Sequence, residues 1–474
     1  MTPTPKKSEQ PPSSLILISP GTATLEPLAS LKPAQSPVLI VPSGPPIDQH
    51  ERIPRQSYSL STVIYFCGSV LACCSSMAAV PKTLAFFFPE QARQGFIPHA
   101  TTGRMWLLRL GYYKLHAPLE QADDWTLLAD HAIEIGKHRF LGILGIRLAN
   151  LPPPGECLKL SDMTPVALLP VESSTQEIVY QTVGRRHHCN RHHAGSDLSG
   201  GINRFCQAHP ETTRYRDLPH MAARLLKKRL EKNECWNAFI KQATQTKFET
   251  NQTELAFLVP PRLRSKARYM NLQSMLRWAE KVLTVLDDPS VVAPSLCSVD
   301  RLNTKFGWLR EYRKDLEVWS SWLALTDRAL DLVRRRGYCK STADDVKQAL
   351  TEISDTPEKE LLKHELLEIV NAESSKARAG TRMSGSTEIL ESSFGKLKES
   401  EGVHSRSGFT SLILVWAALF GATTSEVIRQ ALTEVPVKLV NAWFCSTLGP
   451  TIQSKRAKLA HALRSKSTEK PKEH

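Results

Sequence analysis

The chain has 474 residues, 41% hydrophobic and 23% charged, an ordinary globular balance that excludes a largely disordered chain and leaves room for about two to four domains. Its net charge is +14 and unevenly spread: residues 185–268 carry 17 Lys or Arg against 7 Asp or Glu, and 451–474 carry 7 against 2. Such concentration favours a polyanionic partner, most simply nucleic acid, while ten cysteines without a Cys-x-x-Cys pair exclude a disulfide scaffold and read as reduced cytosolic thiols.

Residues 1–55 are rich in Pro, Ser and Thr, show no sustained periodicity or secretory signal, and read as a disordered leader. Residues 56–81 carry no charge, but seven Ser or Thr dilute the run. A membrane span needs about 20 mostly apolar residues, so buried helices are expected here and no membrane partner. Short helices are predicted over 59–69, 71–88 and 101–114, the last with Thr101 as N-cap candidate and with Arg104, Arg109 and Lys114 off its apolar face. Three short helices with a basic third resemble a helix-turn-helix, giving a DNA-binding domain over 56–118.

From 119 to 234 the pattern changes. A short apolar run, 125–129, ends in Asp130, and 133–135 followed by Gly136-Lys137-His138 reads as strand and turn. A second apolar run covers 140–148, a third strand is expected over 162–171, and another over 214–217. Helices are expected over 177–184 and 201–207, and 221–232 reads as a basic amphipathic helix. Strands followed by alternating helix and strand indicate an α/β class with a mixed sheet. Residues 235–379 then become helical, with apolar spacing over 271–286, 310–336, 343–352 and 358–376. This block carries Arg262, Arg264, Lys266 and Arg268 in one short run, a phosphate-binding candidate. An apolar helix over 409–420 and a basic tail, 451–474, close the chain.

Three carboxylates stand out as candidate metal ligands and catalytic groups. Asp130 closes an apolar run, where an unpaired carboxylate is costly unless it sits at the strand end or holds a cation. Asp197, in Ala-Gly-Ser-Asp-Leu, precedes a predicted helix and could equally be its N-cap. Glu391, in Ser-Thr-Glu-Ile-Leu-Glu-Ser-Ser-Phe-Gly-Lys, shares one helix face with its competitor Glu388, three residues earlier. Asp217 and His220 form a secondary acid–base candidate across Pro219. The His-rich run around His193 lacks the two separated ligand pairs of a zinc finger and reads as a solvated basic loop.

Taken in order, the segments 106–111, 124–136, 195–198, 217–220, 257–268 and 386–396 resemble a family of bacterial insertion-sequence transposases, over roughly residues 57–456. The resemblance implies an RNase H-like core with two aspartates and a glutamate binding Mg²⁺ or Mn²⁺. Asp130 would be the first aspartate and Glu391 the glutamate, with a helical insertion before the glutamate helix. The chain would divide into a leader (1–55), a helix-turn-helix-like domain (56–118), a first core part (119–234), a helical insertion (235–379), the core completion (380–450) and a tail (451–474). One departure matters: the family has aspartate where this chain has His193, so either Asp197 takes over or the site is damaged. The resemblance implies phosphodiester hydrolysis and strand transfer at element ends. Double-stranded DNA is the expected partner, with assembly on it as a homodimer or larger in the cytoplasm at the nucleoid. The alternative is a catalytically inactive DNA-binding descendant.

Overall fold

The computed structural model describes residues 52–135, 138–171, 193–196, 207, 212–262, 269, 272–291, 297–351, 356–401, 412–449 and 456–460; for 130–135, 138–139, 171, 193–196, 291 and 399–401 it describes the backbone alone. The helix expected over 177–184 lies outside these residues, as does that over 201–207 apart from Gln207, and so do Asp197, Arg264, Lys266 and Arg268.

Five strands form one mixed sheet in the order β3-β2-β1-β4-β5. Strands β1 (Trp125–Ile135), β2 (His138–Arg147) and β3 (Thr164–Val171) run antiparallel to their neighbours, while β4 (His193–Ser196) and β5 (Thr213–Tyr215) extend the sheet in parallel from β1. Residues of both parities, from Trp125 to Ala129, are buried. That is why β1 reads as a continuous apolar run rather than an alternating one: central strands covered on both faces have no solvent side. Two expectations are corrected. β1 does not end at Asp130 but continues to Ile135, with a register irregularity between His131 and Glu134. The run ending at His193 is not wholly a loop, because 193–196 enter the sheet between β1 and β5.

The sheet shares its core with helices from both ends of the chain. These are α1 (Leu60–Leu71), α2 (Ala79–Phe87) and α4 (Ala100–His116) near one end, where the short α3 (Pro89–Arg93) buries no side chain. Near the other they are α12 (Glu388–Glu401), α13 (Ile413–Ala418), α14 (Ser425–Glu434) and α15 (Val437–Thr447). The helices expected to stand apart over 56–118 therefore pack into the sheet's own core. His99, rather than Thr101, caps α4 by accepting from Thr101 N. A Cβ on Gly142 of β2 would come within 2.9 Å of the Phe394 ring and 3.0 Å of Trp416. This glycine thus admits the stacked Phe394–Trp416 pair, with centroids 5.5 Å apart, and lets α12 and α13 lie on the sheet.

A second core is mainly helical, with Tyr215 of β5 among its buried residues. It comprises α5 (Leu218–Leu230), α6 (Glu234–Thr250), α7 (Leu272–Asp287), α8 (Val299–Phe306), α9 (Arg313–Arg336), α10 (Thr342–Ala349) and α11 (Pro357–Ser374). Trp236, Phe239 and Trp319 stack at its centre, Trp236 and Trp319 edge to face at 4.9 Å. No helix among the described residues is long and apolar enough to cross a membrane.

Candidate active site at the start of the glutamate helix

The segment entering α12 is fixed from two sides. Gly337, at φ 69°, turns the chain out of α9 in a left-handed conformation that favours glycine. Tyr338 and Met383 then exchange two backbone hydrogen bonds of 2.7 and 2.8 Å. Leu218 N donates to Gly385 O at 3.0 Å, and Thr387 N to Asp217 Oδ1 at 2.6 Å. Asp217 also caps α5, accepting from His220 N at 3.0 Å, with Pro219 in the first turn. One buried carboxylate, only 1% exposed, thereby sets the start of two helices.

The same carboxylate orients an imidazole. His220 Nδ1 is hydrogen-bonded to Asp217 Oδ2. An ionised carboxylate only accepts, so Nδ1 is the donor and Nε2 is left facing outward. Across from it lies Glu391 Oε1 at 3.7 Å, too long for a hydrogen bond and within ion-pair reach. Glu391 is 44% exposed, so the row runs from a buried Asp through a largely covered His to a Glu at the surface.

Glu388 is differently engaged. Arg334 of α9 grips it with Nε at 2.6 Å and Nη2 at 2.5 Å, and Ser386 Oγ adds a bond of 2.9 Å. Hydrogen bonding to Glu388 raises the Arg334 guanidinium's affinity for its proton. This two-pronged pair gives Glu388 an anchoring role and leaves Glu391 as the glutamate beside His220. Both sit in the first turn of α12, where the helix dipole favours negative charge.

α12 packs against β1, the strand that carries Asp130, whose backbone is paired with Gly142. β4 runs beside β1 with His193 opposite Thr126 and Ser196 opposite Ala129. At about 3.3 Å per residue, the His193 backbone lies about 13 Å along the strand from Asp130. The next residue of β1 after Ala129 is Asp130, and the next in sequence after Ser196 is Asp197. Among the described residues, no group of three His, Cys, Asp or Glu side chains is gathered as a metal site. Asp217 is already committed to three N–H donors. Glu391 remains accessible and offers the hard oxygen that Mg²⁺ or Mn²⁺ takes.

The predicted DNA contacts are partly corrected. Arg109 is buried, its guanidinium donating to the carbonyls of Val435 and Leu432. Lys114 is also buried and donates to Phe420 O at 2.6 Å and Thr423 Oγ1 at 2.7 Å, with Ala418 O and Gly421 O at 3.3 Å. Both hold α4 against the C-terminal helices, so α4 has no free basic face for a DNA groove. Arg104 is half-buried on the same helix, and Arg262 is exposed. On α5, Lys228 and Arg229 share Glu365, each at 2.7 Å, which offsets one of that helix's four positive charges. Sequence reasoning missed Arg334, whose role depends on a partner 54 residues away.

No family model and no curated protein matches this chain.

Proposed function

We propose that the chain is a DNA transposase of the RNase H-like, two-aspartate-and-glutamate type, acting on insertion-sequence ends. The observation that carries this is the placement of the Glu391 helix on the Asp130 strand within a mixed α/β sheet. The surplus of basic charge and the ordered sequence resemblance add to it. Water hydrolyses a phosphodiester at the element end, and the freed 3′ hydroxyl attacks target DNA. Asp130, Asp197 and Glu391 are the residues that would hold Mg²⁺ or Mn²⁺. A divalent cation supplies alignment of the attacking oxygen and neutralisation of the leaving one. Asp217 fixes His220, and His220 Nε2 stands 3.7 Å from the Glu391 carboxylate. The strand register favours Asp197 over His193 as the second aspartate. Assembly is as a homodimer or larger on double-stranded DNA, at the nucleoid.

The test is nicking of duplex DNA carrying the sequences that flank the gene. With Mg²⁺ or Mn²⁺, wild type nicks, while Asp130→Ala, Asp197→Asn and Glu391→Gln each abolish nicking and His193→Asp leaves it unchanged. Retained nicking in Asp130→Ala overturns the metal assignment. A second reading, an inactive DNA-binding descendant, is favoured by one observation, histidine where the resemblance implies aspartate. It requires that wild type bind without nicking and that His193→Asp restore cleavage.

A further inference from the structure

One cavity lies outside the Glu391 corner. It measures about 930 Å³ and opens between the C-terminal turn of α9, the start of α10 and the backbone around Gly155 and Gly380. Five cations line it, Arg328, Arg335, Arg336, Lys340 and Arg382, against one carboxylate, Asp331. Their internal ties do not cancel this excess. Arg335 pairs with Asp331, Arg336 with Asp345 at 2.5 Å, and Lys340 and Arg382 donate to backbone carbonyls, which carry no net charge. Arg328 is exposed and makes no hydrogen bond or ion pair with any described residue. So many like charges in one concavity repel one another, and an anion relieves that repulsion.

The surroundings indicate what kind of anion. A second cavity, about 380 Å³, is lined by Arg334, Lys159 and Lys396 with Glu388 as the single carboxylate. No described residue lines both cavities, but three chain segments pass from one lining to the other, Gly155 to Cys157, Arg335 to Arg334 and Arg382 to Ser384. The second also reaches Ile389 and Ser392 of α12, on either side of Glu391 in sequence. A small anion fills one such site. Two adjoining basic cavities leading from the glutamate helix suit a chain of regularly spaced negative charges.

We propose that the Arg328–Arg382 cavity holds successive phosphates of a polynucleotide strand that continues from the Glu391 corner. The assignment rests on the transposase reading for its direction, but not for its chemistry. The Cys339 thiol lines the same cavity, within 3.1 Å of Thr342 Oγ1. Burial raises its proton affinity, and hydrogen bonds from Ser341 and Thr342 outweigh that and leave it below the ordinary thiol value. It is therefore a built-in reporter of what covers the cavity.

The experiment uses the full chain with a DNA oligonucleotide of arbitrary sequence, roughly 16 nucleotides long. Alkylation of Cys339 by iodoacetamide is followed by mass spectrometry, and binding by fluorescence anisotropy across a salt series. Saturating oligonucleotide slows Cys339 alkylation several-fold, and high salt removes the protection. Arg328→Glu with Lys340→Glu, both exposed positions, weakens binding about tenfold and lowers the salt slope by about one for each phosphate that is no longer neutralised. Undiminished Cys339 alkylation, or binding by the double variant equal to wild type, overturns the proposal. So does inorganic phosphate that protects Cys339 as well as the oligonucleotide at equal phosphate concentration, which makes it a small-anion site. Glu391→Gln keeps the protection. Protection in a chain that never nicks removes the transposase reading and leaves this one standing.

Discussion

Asp217 accepts hydrogen bonds from His220 N, His220 Nδ1 and Thr387 N while almost wholly buried. Asp217→Ala removes a helix cap and strands buried donors, so it should cost about 3 kcal/mol of stability, read from the urea midpoint. On the proposed function, nicking should fall more than this loss of folded protein explains, because Glu391 loses an oriented neighbour. The Asp-x-x-His spacing made this pair visible in the sequence, since a proline-started helix brings the third residue back to its cap. Lys114 was not visible in the same way. Helical periodicity placed it off the apolar face, but that face is covered twice, by α1 and by the C-terminal helices. Burial lowers its ammonium from the ordinary 10.5 to about 8, while burial pushes the nearby Cys67 thiol up to about 12, so the thiol stays neutral across that range. Between those Lys114 values the unfolded chain binds more protons, so stability rises with pH from about 8 to 10.5 and is lost again as pH falls. Urea midpoints of wild type relative to Lys114→Met should show that rise, and a flat difference across the window would remove it.

Elements were more legible than their company. The positions of α1, α4, the first three strands and most helices of the 235–379 block follow from periodicity and turn residues close to where they are observed, whereas α2 begins eight residues later than expected. Periodicity could not report which helix lies against which, because that depends on residues hundreds of positions apart. The contact of α4 with α13 shows why. A Cβ on Gly111 would lie 1.9 Å from the backbone oxygen of Leu414, whereas one on Gly103 would meet only the Phe66 ring. Gly111→Ala gains about 1 kcal/mol of helix propensity but must push backbone against backbone, which costs about 3 kcal/mol or more. Gly111→Ala should therefore lower the thermal midpoint despite the better helix former. Gly103→Ala, with a side chain to move rather than a main chain, should lower it less. Equal effects would mean that α4 shifts as a rigid rod.

At the scale of the whole molecule, the two large hydrophobic cores among the described residues lie within Ile47–His474, one around the sheet and one mainly helical. The sequence suggested a helical block between core strands and the glutamate helix. It could not show the joint, which consists of backbone bonds and one buried acid. Glu373 of α11, 1% exposed, accepts from Arg216 N at 3.0 Å and from Lys376 Nζ at 2.6 Å. Tyr338 stacks on Tyr215 at 6.2 Å and donates to Arg216 O at 3.3 Å. All of these hold the exit of β5, which passes directly into Asp217. Breaking a buried, hydrogen-bonded charge typically costs about 3–5 kcal/mol, and here the loss falls on the joint rather than on either core. Glu373→Ala should therefore loosen the coupling, so that calorimetry resolves two transitions where wild type shows closer to one. The helical core, with Trp236, Trp278, Trp319 and Trp322, should dominate the fluorescence change of one transition. Because Asp217 loses its fixed approach, Glu373→Ala should also reduce nicking at temperatures below either transition. If both cores still melt together and nicking persists, the joint is carried by the Tyr338–Met383 and Leu218–Gly385 backbone bonds instead, and Glu373 is a solitary buried ion pair.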